Sequence, residues 1–166
     1  METPSREWLD RASIQDLIYR YSDAVTRADW KQCEAVFAPD AIWESPVLGL
    51  RYESREEFLA TLRPTTAFDL LIQTPHAPVV TLVGSNQAQA TTTIHEMTRG
   101  TAETNSDLGA RGTDINIDTY GIYYYDLARI DEEWKFTHRL FVPFYLSTGR
   151  VTGDVLTRRS DLLLVN

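Results

Sequence analysis

Residues 115–146 read INIDTYGIYYYDLARIDEEWKFTHRLFVPFYL, two apolar and aromatic runs separated by Asp131-Glu132-Glu133. The first run, Ile115–Ile130, carries Tyr120, Tyr123, Tyr124 and Tyr125, and the second, Trp134–Leu146, is almost as rich in rings. β-Branched and aromatic residues suit a pleated, half-buried surface, so both runs predict strands and the acidic triplet predicts the turn of a hairpin. Working back toward the N-terminus, Val79–Val83 predicts another strand, closed by the turn residues Gly84-Ser85-Asn86. Ala88–Thr98 alternates loosely and contains four threonines, while the polar Thr101–Thr113, with two glycines, reads as a long loop.

The first third of the chain has a different period. Over residues 6–29, Ile14, Leu17, Ile18, Tyr21 and Val25 fall on one stripe at about 100° per residue, which predicts a long amphipathic helix. Asp23 lies on the opposite side of that wheel. Trp30–Phe37 predicts a short second helix that stops before Pro39, and Ala41–Glu44 a short strand. Ser54 followed by Glu57 has the form of a capping box and predicts a third helix ending before Pro64. Helices first and hairpin-connected strands afterwards imply an α+β fold, with about three helices on one face of an antiparallel sheet.

Composition limits the function. At 166 residues the chain makes one domain, 1–166, with an N-terminal extension over 1–10 and a polar tail over 147–166 that ends in the apolar run 162–165. A chain of this size buries roughly 70% of its unfolded surface, so a core forms without staples. Sixteen basic against 24 acidic residues give a net charge of −8, which disfavours nucleic acid as a partner. Cys33 is the only cysteine, and no Cys/His cluster has metal spacing, so neither a disulfide nor a metal is expected. No segment reads as a membrane span or a leader, and a cytoplasmic location is expected. Gly109-Ala110-Arg111-Gly112 lacks the strand–turn–helix context of a phosphate loop.

The run Ile14-Gln15-Asp16-Leu17 … Tyr21 … Ala24 … Asp29-Trp30 … Phe37-Ala38-Pro39-Asp40-Ala41, together with Glu133-Trp134-Lys135-Phe136, resembles the SnoaL-like branch of the nuclear transport factor 2-like superfamily. The resemblance extends from about Arg11 to Leu146. It implies a cystatin-like cone, a curved sheet wrapped around helices with a deep central pocket, and a homo-oligomer. Relatives in that branch include polyketide cyclases, scytalone dehydratase, a dehydrochlorinase and small subunits of ring-hydroxylating dioxygenases. The resemblance therefore implies either a cofactor-free lyase or isomerase acting on a small hydrophobic cyclic or aromatic compound, or a binding or assembly module without chemistry. Enzymes of the branch use an Asp–His dyad, whose positions match Thr26 and Gln73 in this chain.

The candidate residues follow from this frame. His76, held between Pro75 and Pro78, is the expected proton-transfer group, because a histidine titrates near neutrality. Asp23 is the carboxylate nearest in sequence that could orient it. Thr26, Gln73 and Trp43 are candidate ligand contacts, as is Tyr123, which matches a pocket-lining position of scytalone dehydratase. His95 and Arg99, four apart on one strand face, are candidates if that face is the pocket, and interface or solvent residues if it is not. His138 is expected to share an apolar face with Trp134, Phe136 and Leu140. Both faces of Ile115–Tyr125 carry apolar or aromatic residues, so a homodimer or higher homo-oligomer through the sheet's outer face is expected.

Overall fold

The computed structural model describes residues 5–63, 68–101, 114–149, 153–157, 159 and 162. Helix α1 spans Arg6–Arg27, starting within the predicted N-terminal extension. The Ser5 hydroxyl caps it by accepting from the Trp8 N–H at 3.3 Å, and it ends where Ala28 turns left-handed at φ 58°. The predicted stripe is the buried one, and Asp23 is exposed. Helix α2, Trp30–Ala35, ends two residues earlier than predicted, because Phe37 is drawn into a strand beside Phe136. Strand β1 therefore runs Phe37–Ser45, followed by one 3₁₀ turn and the short edge strand β2, Leu50–Tyr52. Helix α3, Arg55–Leu62, is capped by Ser54 as predicted; the Glu57 side chain closes the first turn by accepting from the Glu53 N–H at 2.8 Å.

Strand β3, Phe68–Pro75, was not legible in the sequence. Its burial runs against its hydrophobicity: Leu71 and Gln73 face inward, while Ile72 and Thr74 face out. Alternation cannot reveal a strand whose inner face holds a glutamine. Gln73 thus sits in a strand. Strands β4 (Val79–Leu82), β5 (Gln87–Thr101), β6 (Asp114–Ile130) and β7 (Glu133–Gly149) complete the sheet. The β6–β7 turn holds Asp131 and Glu132 at φ 48° and 65°, the left-handed pair of a type I′ hairpin.

The sheet order is β2-β1-β7-β6-β5-β3, with β4 also on β5. Every pairing is antiparallel except β1 with β7, which is parallel. The three helices pack on the concave side, and one continuous core of aromatic and aliphatic side chains fills the space between. Asp10 pins the first helix to the β6–β7 hairpin, accepting from the Arg129 guanidinium and from Trp134 Nε1. The expected loop over 101–113 and the Gly109–Gly112 segment lie outside the described residues, apart from Thr101, which ends β5. The apolar end of the tail lies outside them too, except Leu162, which is 37% exposed.

A bulge on β7 decides which side chains enter the core. Asp126 pairs with His138 but Leu127 pairs with Phe136, which leaves Thr137 as an extra residue. Parity reverses across it. Trp134 and Phe136 face inward before the bulge; Arg139 and Phe141 face inward after it. His138 and Leu140 therefore lie on the outer face, not on the face of Trp134 and Phe136 as strict alternation predicts. His138 Nε2 sits 2.9 Å from Glu44 and Nδ1 3.3 Å from Asp126.

Candidate functional site

The inner face of β5 reads Ala88, Ala90, Thr92, Ile94, Glu96 and Thr98, a small and apolar series interrupted by one carboxylate. Glu96 is half-buried by area, yet enough protein surrounds its carboxyl group that desolvation pushes its pKa up. That combination describes a side chain lining a concavity. Gln73 on the neighbouring β3 opposes the shift, donating from Nε2 to Glu96 Oε2 at 2.8 Å. The other end of the amide is held as well, since Ser22 Oγ on α1 donates to Gln73 Oε1 at 3.1 Å. The Gln73 backbone N–H donates to Thr26 Oγ1 at 3.1 Å. One glutamine thereby ties the last two turns of α1 to the carboxylate.

A buried cation occupies the same interior. Arg139 is 1% exposed, with its guanidinium carbon 3.7 Å from the Tyr21 ring centre and 4.2 Å from that of Tyr123. Burial works against its charge, but the phenols of Tyr21, Tyr123 and Tyr125 outweigh burial and raise its pKa. The same burial pushes the Tyr123 phenol up to about 12, so it stays a neutral donor. Arg139 Nε and Nη1, Trp43 Nε1 and Ser45 Oγ are buried without a hydrogen-bond partner among the described residues. Trp43 lies opposite Arg139 in the β1–β7 register and stacks on Phe58 at 5.3 Å. Arg159, from the tail, closes the end of α1 by donating to the carbonyls of Thr26 at 3.2 Å and Val25 at 2.5 Å.

The structure thus gathers Thr26, Gln73, Trp43 and Tyr123 in the interior and leaves the remaining sequence candidates outside it. Asp23 is held on the outer side of α1 by Arg27 at 2.6 Å and Gln32 at 3.2 Å, and Arg27 keeps its carboxyl below the usual range. His76 is exposed between β3 and β4, its backbone bonded to Thr93 and Thr92. His95 and Arg99 point outward, in antiphase to Glu96. His95 stacks on Tyr120 at 4.3 Å and contacts Asp118 at 2.9 Å; Arg99 donates to the Gly153 carbonyl at 2.6 Å. None of the three histidines faces the interior. Sequence reasoning missed Glu96, Arg139, Ser22 and Arg159. The period-two run from Ala88 to Thr98 carried a signal for Glu96; nothing in the sequence marks the bulge that delivers Arg139. Among the described residues no cluster of three or more His, Cys, Asp or Glu could hold a metal, and no helix is long and apolar enough to cross a membrane.

Residues 6–140 match the SnoaL-like domain family. The chain belongs to that family. Among curated proteins none matches its sequence. Solved structures of the same fold include a candidate scytalone dehydratase from Novosphingobium aromaticivorans, 18% identical with a TM-score of 0.73 over 88% of this chain and 91% of that one. A candidate aromatic ring hydroxylase from the same organism is 21% identical, with a TM-score of 0.71 over 89% and 96%. A hexachlorocyclohexane dehydrochlorinase from Novosphingobium barchaimii is 17% identical, with a TM-score of 0.71 over 90% and 96%. At such identities the likeness is one of fold, and it accounts for the curved sheet and the three helices of this SnoaL-like protein.

Proposed function

We propose that this SnoaL-like protein is a cofactor-free pocket enzyme of the lyase or isomerase type, acting by proton transfer on a small cyclic or aromatic compound. The observation that carries this reading is Glu96, a carboxylate on an otherwise uncharged inner strand face whose pKa is raised by desolvation. Raising a carboxyl pKa toward the working pH strengthens it as a base and keeps it usable as an acid. Glu96 takes a proton from carbon adjacent to a carbonyl, and the C–H electron pair moves into the ring as an enolate. Isomerisation follows when the same proton returns to another carbon; elimination follows when it leaves with a departing hydroxyl as water. Neither route changes the oxidation level overall. Gln73 is a positioning residue, because its amide holds the Glu96 carboxylate.

The experiment is exchange of solvent deuterium into cyclic ketones and enones, followed by NMR. Glu96→Gln is expected to lower the rate on the order of 10²- to 10⁴-fold with the fold intact. An unchanged rate in that variant removes Glu96 from the chemistry, and a loss confined to His76→Ala returns the role to His76. A second reading, a non-catalytic binding or assembly module, is favoured by Thr26 and Gln73 at the positions where resembled enzymes carry their dyad. Binding of cyclic compounds without any exchange decides for it.

A further inference from the structure

We propose that the Arg139 corner of the interior is a recognition site for the carboxylate of a flat aromatic or cyclic acid. The proposal rests on the interior being a ligand pocket, as read above, but not on any chemistry occurring there. Four buried polar atoms from three residues lack partners among the described residues: Nε and Nη1 of Arg139, Nε1 of Trp43 and Oγ of Ser45. Buried polar groups are almost always hydrogen-bonded, so an unpartnered group calls for an explanation of its own. Here the nitrogen atoms are donors only and the hydroxyl can donate, so the missing partner is an acceptor.

The three residues are neighbours in the sheet. Trp43 and Arg139 face each other across the parallel β1–β7 pairing, and Ser45 is the next inward residue of β1. Their charge points the same way. No carboxylate among the described residues lies within ion-pair distance of Arg139, whose buried charge is met by the rings and phenols of Tyr21, Tyr123 and Tyr125 and, at longer range, by Glu96. Rings offset part of the cost of burying a cation but leave Nε and Nη1 without an acceptor. One positive charge without an ion-pair partner matches one negative charge, and a carboxylate supplies that charge with two acceptor oxygens. The surroundings set the rest of the ligand. Tyr21, Tyr123, Tyr125, Phe37 and Phe136 all lie within 5.6 Å of the guanidinium, measured ring centre to carbon. A planar ring bearing the carboxylate suits those faces. All four polar atoms are closed to solvent, and in such a medium each hydrogen bond to the anion is strong.

The test compares benzoate with benzamide, two planar ligands of nearly the same shape that differ in charge. Calorimetry on the wild-type protein is expected to give at least tenfold tighter binding of benzoate. The Trp43 indole N–H resonance, assigned by its loss in Trp43→Phe, is expected to move downfield with benzoate and little with benzamide. Arg139→Gln should abolish the preference between the two ligands. Equal affinities in the wild type, a preference that survives Arg139→Gln, or an unmoved Trp43 resonance each overturns the site. If Arg139→Gln does not fold, the affinity pair and the indole resonance of the wild type decide alone. Benzoate binding without turnover of any substrate overturns only the enzymatic reading. Exchange of neutral ketones with no anion preference overturns only the carboxylate site.

Discussion

The two faces of strands β5, β6 and β7 treat charge in opposite ways, although neighbouring residues supply them. On the outer face every titratable group just described has a partner: His95 with Asp118, and His138 between Glu44 and Asp126, with Glu44 also bridged to Arg51. On the inner face Glu96 is hydrogen-bonded to an amide and Arg139 is surrounded by aromatic rings and phenols, neither with an ion-pair partner in contact among the described residues. Outward charges in water gain little from pairing and lose little without it. Inward charges are costly, and the ligand proposed above gives these two a use. Histidines, the residues sequence reasoning favours for chemistry, all fall on the inexpensive side of this division.

The comparison breaks most visibly in activity. Glu96→Gln should cost on the order of 10²- to 10⁴-fold in proton exchange, whereas His95→Gln on the opposite face of the same strand should stay within about twofold. Exchange rates of the two purified variants under one set of conditions check it.

The outer face has a second consequence, in mass. It exposes Tyr120, Tyr124 and Tyr145 at 38–53%, an aromatic patch that soluble monomers seldom leave open. Light scattering is expected to give at least twice the 19.0 kDa of one chain, and Tyr145→Glu to shift it toward the monomer. A monomeric wild type at micromolar concentration refutes this.

Packing on the inner face is tight enough for a methyl group to matter. A Cβ built on Gly121 would stand 2.4 Å from Phe141 Cε2 and 3.0 Å from the Val142 carbonyl. Gly121→Ala should therefore destabilise by about 1–3 kcal/mol, the usual cost of overpacking, measured by urea unfolding. A neutral effect would mean that the Phe141 ring moves aside freely.

The smallest effect is the sharpest test of the inner carboxylate. Because the folded-state pKa of Glu96 is raised, its contribution to stability is fully present below the unfolded carboxylate range and is lost as pH rises through the folded value. Glu96→Gln should then melt a few degrees above the wild type at pH 7, and the gap should close at low pH. A gap that is constant with pH, or of opposite sign, removes the desolvated carboxylate from the account. Asp10 behaves in the opposite sense: Arg129 and Trp134 outweigh its burial and lower its pKa, so its contribution persists at neutral pH and fades as pH falls through the folded value.

Sequence alone determined the three helices, five of the seven strands, the hairpin at Asp131 and the exposed placement of Asp23, because each is written in local periodicity or in a cap. It also placed Thr26, Gln73, Trp43 and Tyr123 among the candidate contacts, and the resemblance pointed to the SnoaL-like family. Two things had no local signature. Strand β3 buries Gln73 and exposes Ile72, and only tertiary contact with Ser22, Thr26 and Glu96 makes that inversion favourable. The Thr137 bulge reverses the parity of β7, turning His138 outward to Glu44 and Asp126 and burying Arg139 among the rings. Side-chain direction in a strand depends on every residue between it and the turn, so one unpaired residue, invisible in the sequence, decides which charge the interior receives.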